Sequence, residues 1–164
     1  MIRLSKKEYD EFVSPSERLI KCSKDKKLGR RRNKKDEYEL CKRISEHLQW
    51  HYPDILYHFD FGSGAKLTIG QAVQQKTLNT RKGYPDLFII EPRNGFKGLY
   101  IEVKIAGTEL YQKRNPSKFK DEHLQEQAIY LSELRKRGFR ANFGIGYDEC
   151  KNLIDNYLKT ERIK

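Results

Sequence analysis

Two short apolar segments with a turn between them commit this chain to a fold that contains an antiparallel hairpin. The segments are residues 87–90 (LFII) and 99–105 (LYIEVKI), and Asn94-Gly95 between them is a residue pair typical of tight hairpins. The first segment is apolar at every position, which predicts an interior strand with both faces covered. In the second, side chains alternate between faces, so Glu102 and Lys104 share one side. A carboxylate and an ammonium group beside an interior strand form either a surface ion pair or a functional site.

The remaining pattern predicts an α/β fold with a mixed central sheet flanked by helices, in the order α-β-α-β-β-α-β-α. Beside the hairpin strands, the predicted elements are a helix over 36–52, a strand over 55–59, a weak helix over 68–78, a helix over 121–137 that Gly138 ends, a strand over 139–146 and a helix over 148–159. Residues 106–120 are predicted to form a long basic loop.

Positive charge is concentrated near the N terminus of the chain. The net charge is +11, and residues 18–35 alone hold ten Lys and Arg against Asp25. Such a block attracts polyanions, so nucleic-acid contact is the favoured role and a solubilising tail or targeting signal is the alternative. We predict an arm over 1–35, with a short helix and the basic block, and a domain over 36–164. The predicted phosphate contacts are Arg30, Arg31, Arg32, Lys34, Lys35, Lys66, Arg81, Lys82, Lys113 and Arg114.

Cysteine usage and hydropathy favour an intracellular, cytoplasmic protein. The three cysteines are widely spaced and form no CxxC pair, which favours a reducing compartment and supports neither a disulfide framework nor a zinc site. His47 and His51 are four residues apart, but no third ligand is evident. No apolar run reaches membrane-spanning length, and there is no signal-peptide pattern, so no membrane association is expected.

The hairpin brings a second carboxylate towards Glu102 and Lys104. Asp86 enters the first strand, so the three side chains can meet at one point. Two close carboxylates repel each other unless a cation lies between them, and Mg²⁺ prefers such oxygen ligands. A nearby lysine can hold an attacking water or a phosphate oxygen, which would suffice for phosphodiester hydrolysis. The alternatives to such a site are that Asp86 is only a turn residue and that Glu102 and Lys104 are a solvated pair on an edge strand.

These residues resemble a known motif. "GYPDL" followed by "IEVK" resembles the PD-(D/E)XK nuclease superfamily, and the pattern across residues 36–158 resembles its VRR-NUC (viral replication and repair nuclease) branch. The resembling segments are "DEYELC…QWHYPDILYHF", "TRKGYPDLFI", "GLYIEVK" and "EQAIYLSELRKRGFRANFGIGYDEC". The resemblance implies a restriction-endonuclease-like core and a Mg²⁺- or Mn²⁺-dependent endonuclease that acts on DNA.

The resemblance also implies roles for individual residues. Asp86 and Glu102 would coordinate the metal together with the backbone carbonyl of Val103. Lys104 would position the water or stabilise charge on the phosphate. Gln127 would be the glutamine on the helix after the Glu-x-Lys strand. Its apolar stripe supports this, because a polar residue there needs a partner, and a satisfied amide at the core edge is the alternative. The stripe contains Leu124, Leu131 and Leu134.

The family's first helix brings a glutamate to the site, and two residues could fill that place. Glu37 shares a helical stripe with Cys41, Ile44 and Leu48, whereas Glu39 lies on a mostly polar side. We predict Glu37, as a second-metal ligand or a water-orienting group. The alternative is an ordinary acidic residue of a helix's first turn.

Two departures from the family pattern concern substrate contact. Cys41 stands where the family often has glutamine, and "DFGSGAK" replaces an Asn-Gly-Gly-like loop. The basic loop interleaves Tyr111 and Phe119 with lysine and arginine, which indicates either DNA binding or a solvated loop.

The resemblance implies a homodimer that selects DNA by structure. The leading prediction for its substrate is branched DNA such as a Holliday junction, in DNA repair or recombination. The family's name suggests a phage or mobile-element setting. A flap or restriction-like nuclease and a non-catalytic basic binding module are the alternatives.

Overall fold

The computed structural model describes residues 34–60, 68–78 and 82–160. The predicted N-terminal helix and the predicted contacts at Arg30, Arg31, Arg32, Lys66 and Arg81 lie outside these ranges. The elements are α1 (Lys34–His51), β1 (Tyr57–Phe59), α2 (Ile69–Leu78), β2 (Leu87–Ile89), β3 (Leu99–Lys104), α3 (Glu122–Lys136), β4 (Arg140–Ile145) and α4 (Gly146–Leu158).

The four strands form one mixed sheet in the order β1-β2-β3-β4. β1, β2 and β3 pair antiparallel in succession, and β4 joins β3 in parallel. The mixed sheet and the antiparallel hairpin are therefore confirmed. Asn94 (φ 45°) and Gly95 (φ 82°) form the turn, which the Arg93–Phe96 bridge closes. Positive φ at both central residues is what a hairpin turn of this kind requires.

β3 is buried on both faces because helices cover the sheet on both sides. Leu99, Ile101 and Val103 belong to a core that includes residues of α1 and α4. Tyr100 belongs to a second core with Leu124 and other residues of α3. The alternation seen in the sequence thus divides the strand between two cores, and its polar residues face the side of α3.

The observed element ends differ from the predicted ones by one or two residues. α1 begins at Lys34 rather than at 36, and β1 lacks residues 55 and 56. α4 begins at Gly146 rather than at 148. Gly146 has a φ of +75°, a conformation that glycine adopts readily, so the chain passes directly from strand into helix.

The predicted basic loop between β3 and α3 contains a short bridge and a buried aromatic ring. Tyr111 and Phe119 form an isolated bridge, and their rings stack with centroids 4.8 Å apart. Phe119 is buried in the second core. The ring of Phe119 is therefore used in packing, and the DNA-binding role of the basic loop stays a prediction. Lys113 and Arg114 are exposed on this loop.

Membrane crossing requires a long apolar helix. Over residues 34–60, 68–78 and 82–160, no helix has the length and apolar character needed to span a bilayer.

Candidate active site

The acidic residues of the two hairpin strands lie opposite each other at the end of the sheet. Leu87 of β2 pairs with Ile101 of β3, and continuing this register by one residue puts Asp86 opposite Glu102. The Val103 amide donates a 2.8 Å hydrogen bond to Asp86 Oδ2. This bond fixes the Asp86 carboxylate against β3, just beyond the last residue pair of the β2–β3 ladder.

Lys104 and Glu102 form an ion pair on the face of β3 that carries Tyr100. Lys104 Nζ donates to Glu102 Oε1 at 2.7 Å. The Glu102 side chain is 2% exposed and that of Lys104 is 15% exposed, so both groups are largely withdrawn from water. The solvated Glu-x-Lys pair considered above does not describe this arrangement.

Gln127 reaches the same carboxylate from α3. It is buried between Leu124 and Leu131, as its stripe predicted. Its Nε2 donates to Glu102 Oε1 and also lies 3.1 Å from His123 Nε2. Two donors, an ammonium and an amide, therefore converge on one oxygen of Glu102.

A glycine holds the loop before Asp86 close to α3. Gly83 has a φ of +86°, and a Cβ at this position would lie 3.0–3.1 Å from backbone atoms of Glu126 and Gln127. Real Cβ atoms rarely make such close contacts with backbone. The absence of a side chain at Gly83 is thus what lets the Asp86 loop lie directly against the backbone of Gln127.

Burial and mutual repulsion dominate the electrostatics of the two carboxylates. Burial raises the pKa of Glu102, the Asp86 carboxylate raises it further, and Lys104 opposes both effects. Burial likewise raises the pKa of Asp86, while the Val103 amide and Lys104 act in the other direction. One lysine thus faces a buried and a half-buried carboxylate, so the pair is short of positive charge.

The donor set at this point suits a hard divalent cation. Glu102 Oε2 is buried and has no hydrogen-bond partner among the described residues. Mg²⁺ is commonly held by one or two carboxylates and keeps several waters. Over residues 34–60, 68–78 and 82–160, no cluster of three or more His, Cys, Asp or Glu side chains is disposed to hold a metal. Asp86 and Glu102 are two carboxylates of the kind that Mg²⁺ takes as ligands, so the residues present fit such an ion.

α1 brings Glu37 and Cys41 close to the two carboxylates. The charge of Glu37 contributes to raising the pKa of Asp86. Burial and then the charges of Asp86, Glu37 and Glu102 raise the pKa of the Cys41 thiol to about 12, so the thiol is neutral. Glu39 lies instead beside a surface depression formed with Arg43 and Tyr147. Of the two glutamates, Glu37 is thus the one whose charge acts on Asp86.

The structure describes the side chains of only some of the basic residues that were predicted to contact phosphate. The side chains of Lys82 and Lys113 are 80% and 74% exposed, and each has a glutamate within 4 Å, Glu126 and Glu109 respectively. Arg114 is exposed. Lys34 and Lys35 lie in the first turn of α1, but the positions of their side chains are not described.

One residue of the cluster was missed by sequence reasoning. His123 contacts Gln127 from the first turn of α3. Its spacing of four residues from Gln127 puts both on one helical face, and that spacing is the signal that could have identified it.

The chain is similar to a protein described as "VRR_NUC domain protein", with a TM-score of 0.58 and 21% sequence identity. The match covers 85% of this chain and 96% of that chain. This chain has the fold of a VRR_NUC domain protein. The predicted fold class is therefore confirmed. No family profile and no curated protein matches the chain.

Proposed function

We propose that this chain is a metal-dependent endonuclease that hydrolyses DNA phosphodiester bonds. The observation that carries the proposal is the buried carboxylate of Glu102 beside the half-buried carboxylate of Asp86 and the ammonium of Lys104, with Glu102 Oε2 lacking a hydrogen-bond partner among the described residues. The fold shared with a VRR_NUC domain protein supports the same reaction class. An ion pair that served only stability would need one carboxylate for one lysine.

Asp86, Glu102 and the main-chain carbonyl of Val103 would hold Mg²⁺ or Mn²⁺. The amide and the carbonyl of one strand residue face the same neighbouring strand. Because the Val103 amide binds Asp86, its carbonyl is directed to the same side, beyond the end of β2. When bound, such a cation polarises the phosphate and lowers the pKa of a bound water.

The other polar side chains would orient the reacting groups. Lys104 has one donor engaged with Glu102, and its remaining N–H groups can hold the attacking water or a phosphate oxygen. Gln127 donates the second hydrogen bond to Glu102 Oε1, beside the one from Lys104. Glu37, exposed at the start of α1, would orient water or assist a second metal ion.

The charge distribution supports a nucleic-acid substrate. The net charge is +11, and the block at residues 18–35 would grip backbone phosphates together with Lys82, Lys113 and Arg114. Our leading proposal is a homodimer that cuts branched DNA such as a Holliday junction, in DNA repair or recombination. Its basis is the VRR-NUC resemblance of the sequence.

The test compares four DNA substrates that share one labelled sequence. Four-way junction, flap, single strand and linear duplex are incubated with the protein in Mg²⁺ and in EDTA, with Glu102→Gln as the control variant. We expect paired, symmetric nicks in the junction that require Mg²⁺ and the intact Glu102. Preferred cutting of the flap or the duplex would replace the junction by those substrates. Binding of all four without cutting under any divalent metal would overturn the proposal in favour of a non-catalytic binding module.

A further inference from the structure

The Gln127 amide is held at both of its N–H groups. Its nitrogen lies within hydrogen-bond distance of Glu102 Oε1 on one side and of His123 Nε2, at 3.1 Å, on the other. The NH₂ group of Gln127, not its oxygen, faces Glu102 and donates to Oε1. The second N–H of the same nitrogen then points at His123 Nε2, which accepts it in the tautomer with the ring proton on Nδ1.

This second hydrogen bond determines which end of the amide faces the carboxylate. The two ends of a glutamine amide have nearly the same shape, so only their partners decide between them. Gln127 Oε1 is buried and has no partner among the described residues, so it gives no preference of its own. The acceptor at His123 stabilises the orientation in which the amide nitrogen faces Glu102. In the rotated orientation, the amide oxygen would face both Glu102 Oε1 and His123 Nε2.

The orientation of Gln127 matters for the carboxylate of Glu102. Lys104 and Gln127 both donate to Oε1, which leaves Oε2 as the oxygen without a hydrogen-bond partner. If the amide rotated, its oxygen would repel Oε1 and the carboxylate could turn. The hydrogen bond between Gln127 and His123 therefore helps to determine which oxygen of Glu102 is available to a ligand.

We propose that His123 is a positioning residue, which fixes the Gln127 amide and thereby holds Glu102 with Oε2 available to a divalent cation. The inference rests on the proposed function and deepens it. His123 is exposed and sits in the first turn of α3, so replacing it leaves both cores untouched.

The test measures Mn²⁺ binding by calorimetry without DNA and nicking of DNA in parallel. His123→Ala removes the acceptor, His123→Gln supplies an oxygen acceptor at similar reach, and His123→Lys offers only donors. His58→Ala, an exposed histidine on β1, is the matched control. A neutral hydrogen bond of this kind corresponds to a change of about three- to tenfold in affinity. We expect that loss in the Ala and Lys variants, and near-parental binding in the Gln and His58 variants.

A double variant separates positioning through Gln127 from a direct effect. If His123 acts through the amide, adding His123→Ala to Gln127→Ala causes no further loss of Mn²⁺ affinity. Two results would overturn the inference: Mn²⁺ binding by His123→Ala as tight as that of the parent, or affinity losses of the single variants that multiply in the double variant. If the parent protein still cleaves DNA in that case, the proposed function stands. A parent protein that neither binds Mn²⁺ nor cuts DNA would overturn both. If the Ala variant is less stable, the Gln and Lys variants decide, because both keep a long side chain at this exposed position.

Discussion

The main-chain amide of Val103 and the side chain of Asp86 are joined by a 2.8 Å hydrogen bond. Asp86 therefore has two functions that can be separated, as the acceptor for a strand amide and as a carboxylate facing Glu102. The hydrogen bond ties the loop before β2 to β3 at the point where the sheet register ends.

Substitutions at Asp86 should separate stability from activity. Asp86→Ala leaves the Val103 amide without its acceptor, which should lower the free energy of unfolding by about 1–3 kcal/mol. Asp86→Asn keeps an acceptor oxygen and removes a half-buried charge that repels Glu102, so its stability should equal or exceed that of the parent. Both variants should lose DNA cleavage. Urea denaturation and a cleavage assay on the same samples check this, and equal stability of the Ala and Asn variants would contradict the first part.

Gly83 and Gly95 form a matched pair for testing the close approach of the Asp86 loop to α3. Both have positive φ, but a Cβ at Gly95 would have nothing within 4 Å. Gly95→Ala should therefore cost only the left-handed backbone strain, about 1–2 kcal/mol. Gly83→Ala should cost more, because Glu126 and Gln127 must move.

The two glycine variants should also differ in activity. Gly83→Ala should reduce cleavage because it displaces Gln127, and Gly95→Ala should leave cleavage unchanged. Thermal melts and cleavage rates of the two variants provide the measurement. Similar losses in both would show that contact with α3 has no special importance.

Asp155 should make the stability of the fold depend on pH in the acid range. Burial alone would raise the pKa of Asp155. Hydrogen bonds from Lys151, His47 and Tyr52 outweigh burial and hold this pKa at about 2. A depressed pKa stabilises the folded state above the unfolded value near 4, and this contribution is lost as the pH falls from 4 towards 2. The size of the effect is about 2 kcal/mol.

The measurement is the free energy of unfolding between pH 2 and pH 7 for the parent and for Asp155→Asn. The parent should lose stability below pH 4 more steeply than the variant, because the variant has no group to protonate at this position. Parallel pH profiles would count against the role given to Asp155. His58→Ala serves here too as a variant away from this cluster.

Glu37 and Glu39, both exposed on α1, test which acid of the first helix belongs to the site. The charge of Glu37 acts on Asp86, whereas Glu39 lines a surface depression together with Arg43. Glu37→Gln should lower the cleavage rate by about 10-fold, as is usual for groups that support metal ligands. Glu39→Gln should cleave as the parent does. The reverse order of effects would reassign the role to Glu39.

The hairpin part of the candidate site could be predicted because local rules determine it. Asn94-Gly95 fixed the turn, and the two-residue period of β3 placed Glu102 and Lys104 on one face. The position of Asp86 near Glu102 followed from the register of the hairpin. The helical stripe of Gln127 likewise predicted its burial.

Contacts that depend on how elements pack were beyond the sequence patterns. The i, i+4 spacing of His123 and Gln127 was visible, but that Gln127 reaches Glu102 depends on how α3 lies over the sheet. Phe119 lay in a basic loop, and only the tertiary fold shows that its ring fills the second core. His47 shared a face with His51, yet its partner is Asp155, 108 residues away.

The most direct test of the account compares cleavage by three proteins in Mg²⁺ and in EDTA. These are the parent, Glu102→Gln, and Glu91→Gln as a buried glutamate away from the site, each checked by thermal melting. We predict Mg²⁺-dependent cleavage by the parent and the Glu91 variant, and a loss of more than about 100-fold in the Glu102 variant. Cleavage that persists in EDTA, or a Glu102 variant that cuts at the parental rate, would contradict the account.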